Sequence, residues 1–303
     1  MIMSKSMEII EHREDRHMVE NSILKAEILS QALPYIQKYN NKIVVIKYGG
    51  NAMINEELKM NVITDVVLLS EIGVKVILVH GGGPEINRTL KKVGKESKFI
   101  NGLRYTDEET IDIVQMVLAG KTNKNLVKLI MQKGGNATGI SGIDNMLIEA
   151  EKYESEDDLG YVGAVKKIHP NIIVDMLDKG YIPVVASVGM DEDGHTYNIN
   201  ADTAAAEIAS AVGAENMILV SDIPGLLEDK NDENTLLPLV HVYEVNSLMK
   251  KGIISGGMIP KVDCCVRAIR QDVKKAVIID GRIPHSILIE MLSKDGIGTM
   301  FKR

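Results

Sequence analysis

The stretches IVVIKYGG (43–50) and VKVILVHGGG (74–83) decide how this chain folds. Each is a β-branched and aliphatic run that stops abruptly at glycine. The runs are apolar almost without interruption, which is the pattern of a parallel strand buried on both faces. Between them Leu58, Val62, Val66 and Leu69 recur at helical spacing ahead of Gly73, so the pair reads as a βαβ unit with a glycine stop. Three further runs repeat the signal: IPVVASV (182–188), MILVS (217–221) and AVIID (276–280). A helix opening at Thr106, with Glu109 three residues on as a capping box, continues through Ile111, Val114 and Val117 towards Leu129 and Ile130. An Ala-rich helix starts at the capping-type Asp202 and ends at Gly213. The expected fold class is α/β, an open, mainly parallel central sheet with helices on both faces.

Two regions break this rhythm. Residues 139–169 place MLIEAEK and YVGAVKKI around the charged ESEDDLG, the pattern of a projecting β-hairpin. Residues 18–40 form an amphipathic helix through Ile23, Leu24, Ile28, Leu29 and Leu33, which Pro34 is expected to kink or break. The first seventeen residues are expected to be mobile. No repeat of 20–50 residues is present.

Composition narrows the function. The 303 residues suit two domains or one large α/β unit, and 45% hydrophobic with 25% charged residues excludes a disordered chain. A net charge of −7, no Trp and two Phe argue against nucleic acid as a partner, which would call for basic excess and stacking rings. No run approaches the roughly 18 apolar residues of a membrane span. The opening MIMSKSMEIIEHREDRH carries too many charges for a signal peptide, so a cytoplasmic protein is expected. Cys264 and Cys265, adjacent and without other cysteines, allow no disulfide framework and make a poor zinc site; they read as packing residues.

Four features carry chemistry. Lys47 with Gly49 and Gly50, and Gly81-Gly82-Gly83, close two strands, and α/β sheets bind ligands beyond the carboxyl ends of their strands. Either glycine group alone could be a plain turn. Asn198-Ile199-Asn200-Ala201-Asp202 precedes the Ala-rich helix, where Asp202 could be no more than its cap. Gly256-Gly257-Met258-Ile259-Pro260-Lys261 opens another helix as an anion site with a cation attached. Neither phosphate motif of the common kinds is met. Ile86 spoils G-x-G-x-x-G after Gly81, and AGKT (119–122) has Gln115 where a P-loop needs glycine. Two lysines, three glycine-rich anion sites and one carboxylate point to phosphoryl transfer.

VVIKYGG, VHGGG, NGLRYTD, NINAD and GGMIPK, in that order, resemble the amino-acid kinase family over residues 20–301, and within it the members that phosphorylate N-acetyl-L-glutamate in arginine biosynthesis. The resemblance implies an amino-acid kinase fold in which 1–40 is an oligomerisation extension, 41–190 binds the amino-acid substrate and 191–303 binds ATP, including SDIPGL (221–226). It implies catalytic Lys47, Lys261 and Asp202, with substrate bound by Gly82, Gly83, Arg104 and Asn198, and phosphate contacted by Gly49 and Gly50. ATP enters with Mg²⁺ held by its own oxygens, so no protein metal ligand is expected. The N-terminal helix resembles the extension of arginine-inhibited, ring-shaped hexameric members, which implies an arginine site at Tyr35, Glu290 and Gly296 and a homo-oligomer, dimer or hexamer. Lys91, Lys92, Lys95 and Lys98 read as a solvated face. An acceptor one methylene longer, N-acetylaminoadipate, stays open as an alternative, as does a non-catalytic arginine or nucleotide sensor.

Overall fold

A computed structural model describes residues 2–303, with side chains described for residue 19 and from residue 21 onward, apart from 51 and 52. The mobility expected of residues 1–17 therefore falls outside the residues described in full. One eight-stranded sheet organises the chain. Its strands are β1 (Ile43–Tyr48), β2 (Lys75–His80), β5 (Ala137–Ser141), β8 (Ile182–Ala186), β11 (Asn216–Ser221), β12 (Leu239–His241), β13 (Lys275–Asp280) and β14 (Thr299–Lys302), in the order β12-β14-β13-β11-β1-β2-β8-β5. All pairings are parallel except β13 with β14. β5, β12 and β14 escape the sequence pattern, because ATGIS, LVH and TMFK are too short or too polar to read as buried strands.

Alternation along each strand sorts the core into two layers. Val45, Ile77, Val79, Met217, Leu219 and Ile278 face α7 (Ala201–Ala211) and α9 (Met258–Arg270). Val44, Ile46, Leu78, Ile218, Val220 and Ile279 face α2 (Glu56–Glu71), α5 (Asn123–Gln132) and α10 (Ser286–Leu292). Both faces are covered, which is why the strands read as unbroken apolar runs. Ala204, Ala205, Ala206 and Ala209 are wholly buried, so α7 rests close against the sheet, and Cys264 and Cys265 are buried on α9 as expected.

The strand expected at 182–188 turns at Ser187. β8 stays in the main sheet, while β9 (Val188–Met190) leaves it for a small closed barrel, β10-β7-β6-β9. There β6 (Ile148–Lys152) and β7 (Val162–Ile168) form the expected antiparallel hairpin, bulged between Glu149 and Ala150. β9 and β10 (Thr196–Ile199) close it into a barrel, with β10 parallel to β7. The hairpin therefore does not stand alone, since its inward residues Ile148, Ala150 and Val162 need a covering partner.

α1 (Ile2–Tyr39) runs through Pro34, so the proline removes one backbone donor without ending the helix. α3 (Gly83–Lys92) and the short hairpin of β3 (Phe99–Ile100) and β4 (Leu103–Arg104) follow β2. α4 (Glu108–Gln115) is capped by Asp107, whose side chain accepts from the Thr110 amide; the expected Thr106 instead donates its hydroxyl to the Arg104 carbonyl. Lys95 leaves the expected solvated face to pair with Asp107 at 2.6 Å and Glu109 at 2.9 Å. A π-helical turn, Met116–Thr122, joins α4 to α5 and absorbs the AGKT run. α6 (Asn171–Asp178) and α8 (Val245–Lys250) complete the helices named here.

The close seat of α7 gives a stability prediction. Ala205→Leu must force its extra methylenes against β1 and β2 and should cost about 1–3 kcal/mol, read as a lowered thermal midpoint. An unchanged midpoint would show that the α7–sheet interface has slack.

Candidate active site

Lys47 sits one residue from the end of β1, on the same face as Val45, and so points towards α7. α7 begins with its cap at Asn200, whose side-chain oxygen accepts from the amides of Asp202 at 2.9 Å and Thr203 at 3.1 Å. This corrects the expectation that Asp202 starts the helix. A capping side chain must curl back over the first-turn amides, and Asn200 already occupies that place. Asp202, one turn position inside, is released to face outward from the helix.

The released carboxylate lies between two lysines. Lys47 Nζ is 2.9 Å from Oδ1, an ion pair outside hydrogen-bond alignment, and Lys261 Nζ donates to Oδ2 at 3.1 Å. Lys261 comes from the first turn of α9, after Gly256 in the left-handed region (φ +54°) and the cap Gly257. Burial alone would raise the Asp202 carboxyl, but the two ammonium groups outweigh it and hold it at about 2. The Asp202 carboxylate is therefore ionised at neutral pH and is held between the two lysines.

Beside it opens a cavity of about 210 Å³, lined by Lys47, Gly49, Gly50, Gly81, Gly82, Gly83, Arg104, Asn198 and Asp202 among others. Lys261 does not line it and joins through Asp202. Gly82 caps α3 and Gly83 begins it, so both amides open a helix that has no internal acceptor for them. A Cβ on Gly82 would lie 2.6 Å from Leu118 Cδ2, so the buried leucine or the loop would have to shift to admit one. Arg104 is buried, donates to Ser97 Oγ at 2.8 Å and stacks 4.7 Å above the Phe99 ring. Burial draws its guanidinium down from the ordinary value, and among the described residues no carboxylate pairs with it. A buried cation without a protein anion, facing free amides, is complementary to an anionic ligand. Asn198, brought in by β10, donates to Thr106 Oγ1 at 3.3 Å.

Ile86, Leu103, Leu118 and Ser187 also line the cavity and were missed in the sequence. Ser187 was hidden inside a run read as one strand. Leu118 enters through the π-turn, which shifts residues off the 3.6 spacing. SDIPGL follows β11 at the same sheet edge, where Gly225 (φ +142°) shapes the turn and the Leu226 amide donates to Thr299 Oγ1 at 2.8 Å. None of the three residues of the implied arginine site lines this cleft. Glu290 Oε2 accepts from the amides of Ile297 at 3.0 Å and Gly298 at 3.3 Å, beside Gly296. Tyr35 packs on the apolar cluster that also takes in Leu288, Leu292 and Ile297. Among the described residues one group, Asp191, Asp193 and His195 in the β9–β10 turn, could reach a common ion, and none of the three lines the cleft.

Residues 42–280 match the model of the amino acid kinase family. Acetylglutamate kinase of Clostridium beijerinckii is 54% identical over 92% of this chain and 99% of its own length. That of Brachyspira hyodysenteriae is 56% identical over 92% and 97%. Among solved structures, N-acetylglutamate synthase from Neisseria gonorrhoeae complexed with coenzyme A and N-acetyl-glutamate superposes with a TM-score of 0.80 at 22% identity, covering 92% of this chain. The chain spans 63% of that synthase, which has also been solved with coenzyme A and L-arginine.

The relay makes a pH-dependent prediction. The Asp202 carboxyl lies below its ordinary value of 3.8, so its contribution to stability is complete above that value and is lost as pH falls towards about 2. Asp202→Asn should lower the thermal midpoint at neutral pH and weaken its acid dependence between about pH 4 and 2. Superimposable midpoint–pH curves for the two proteins would show that the carboxylate is not what holds the lysines.

Proposed function

The chain belongs to the amino acid kinase family, and on that premise we propose that it transfers the γ-phosphoryl group of ATP to the side-chain carboxylate of N-acetyl-L-glutamate, as its acetylglutamate kinase relatives are named for. The observation that carries this reading is the Lys47–Asp202–Lys261 relay beside a cleft whose free glycine amides, and a buried Arg104 with no carboxylate partner among the described residues, suit an anionic acceptor. The acceptor carboxylate, with a pKa of about 4.3, is already ionised and needs no general base. One of its oxygens bonds to the γ-phosphorus as the bond from phosphorus to the β–γ bridging oxygen breaks, and ADP leaves with that electron pair. No proton moves. The barrier is repulsion among anions, which the two ammonium groups and the Gly49, Gly50, Gly82 and Gly83 amides offset.

In this reading Arg104 clamps the acceptor's α-carboxylate and Asn198 orients it. Residues 41–190 supply the acceptor side and 191–303 the nucleotide side, with SDIPGL at the ATP. Mg²⁺ arrives on the nucleotide, because Asp202, the carboxylate lining the cleft, is already shared by two lysines. Residues 1–40 serve as the oligomerisation extension. The α1 stripe of Ile23, Leu24, Ile28, Leu29 and Leu33 is more than half exposed, and a second copy would cover it in a dimer or hexamer. Tyr35, Glu290 and Gly296 form the arginine effector site of a feedback-inhibited, cytoplasmic enzyme of arginine biosynthesis.

The test is ADP release from Mg-ATP with N-acetylglutamate, N-acetylaminoadipate, glutamate and aspartate, each with and without arginine. Preferential turnover of N-acetylglutamate, suppressed by arginine, is expected. Flat activity across an arginine titration with substrates near KM overturns the effector site alone. Lys47→Ala and Lys261→Ala should each lower turnover on the order of 10²–10³-fold. Arg104→Ala should raise the acceptor KM with a smaller change in kcat, having removed binding already present before the transition state. Near-normal turnover in Lys261→Ala refutes its role.

A further inference from the structure

Beneath the Gly81–Gly83 loop lies a buried polar pair that the reaction as described leaves unused. His80 ends β2 and is wholly buried, with Nδ1 2.9 Å from the Gly81 carbonyl oxygen. Its Nε2 is 3.1 Å from Nδ2 of Asn123, which begins α5 and is also wholly buried. That same Nδ2 lies 3.1 Å from the Ile140 carbonyl of β5 and 2.8 Å from the Val184 carbonyl of β8. Carbonyl oxygens only accept, so the amide nitrogen of Asn123 is the atom facing them and it can only donate. Nε2 must then accept, and the ring proton sits on Nδ1, donating to Gly81. Burial pulls the imidazole down to about 4, which keeps it neutral at ordinary pH.

The direction of that hydrogen bond matters. The Gly81 carbonyl and the Gly82 N–H belong to one trans peptide plane and point oppositely. Along β2, Ile77 and Val79 face α7, so His80 falls with Leu78 on the α2 and α5 side. Drawing the Gly81 carbonyl to that side turns the Gly82 N–H to the α7 side, where Lys47 and Asp202 line the cleft. We propose that His80, braced by Asn123, is a positioning residue that aims the Gly82 amide at the anionic acceptor and the migrating phosphoryl group. The brace reaches three strands because the two hydrogens of one amide nitrogen are shared among acceptors on β2, β5 and β8 at the end where the loop begins. This inference rests on the cleft being the acceptor and phosphoryl-transfer site.

Three variants test it, each assayed for acceptor kcat/KM, ATP KM and thermal midpoint. His80→Phe fills similar space without a donor, and should lower acceptor kcat/KM by about 10²-fold while ATP KM stays within about twofold. The amide nitrogen of His80→Asn can stand near the position of Nδ1 and donate to Gly81, so this variant should recover most of the loss. His80→Gln places its nitrogen near Nε2 instead and should not. Should the Phe variant fail to fold, the Asn–Gln contrast carries the test. Acceptor kcat/KM within about twofold of wild type in the Phe and Gln variants overturns the inference, as does equal loss in Asn and Gln. Wild-type protein inactive with every acceptor removes the functional reading, and this inference falls with it. An active wild type with indifferent variants removes this inference alone.

Discussion

Two ammonium groups brought to one buried place repel each other unless an anion stands between them, and the architecture at the carboxyl edge of this sheet follows from that need. Lys47 arrives from β1, Lys261 from the first turn of α9, and Asp202 from α7 between them. Each element is fixed by different sequence signals, and the charge relay couples all three. The constraint also explains why α7 is rich in alanine. Only a thin helix lets a first-turn carboxylate come within 3 Å of a lysine on the central strand while its own backbone stays close to the sheet. A buried carboxylate shared in this way is costly to remove, because two uncompensated cations would remain.

The rest of the cleft extends the same electrostatic logic without further carboxylates. Free amides at the start of α3 and a guanidinium stacked on an aromatic ring offer donors in a place where, among the described residues, no carboxylate pairs with them. A chain of net charge −7 thus concentrates positive potential locally. Glycine serves here by absence of bulk as much as by backbone freedom. Gly82 lies against Leu118 so closely that a side chain would fill the space next to the amide. The π-turn that delivers Leu118 and Thr122 to this wall is part of the same packing.

Much of this was legible in the sequence because it rests on local signals. The five strands recognised were continuous β-branched runs, and both glycine clusters at strand ends line the cavity at the carboxyl edge of the sheet. Lys47, Gly49, Gly50, Gly82, Gly83, Arg104, Asn198 and Asp202 are brought to one cavity, with Lys261 reaching it through Asp202. What escaped had no local signature. β5, β12 and β14 are strands only because a neighbour supplies their hydrogen bonds, and Ser187 marks a change of sheet that leaves its apolar run uninterrupted.

Asp202 shows the division most clearly. Read alone, an Asp before an Ala-rich segment is a cap, and nothing in that segment prefers Asn200 for the task two residues earlier. The choice follows once β10 has turned into the barrel and set the entry angle of α7, because Asn200 then faces the helix amides and Asp202 faces the lysines. By itself the sequence determined the class of fold, its buried strands and the identity of the charged and glycine residues, since these depend on periodicity and residue chemistry within a few positions. Only the tertiary structure decided which carboxylate meets which lysine, how four short strands close into a barrel, and which way a peptide amide points. Those depend on groups 59 residues apart, as between Lys261 and Asp202, being packed into contact.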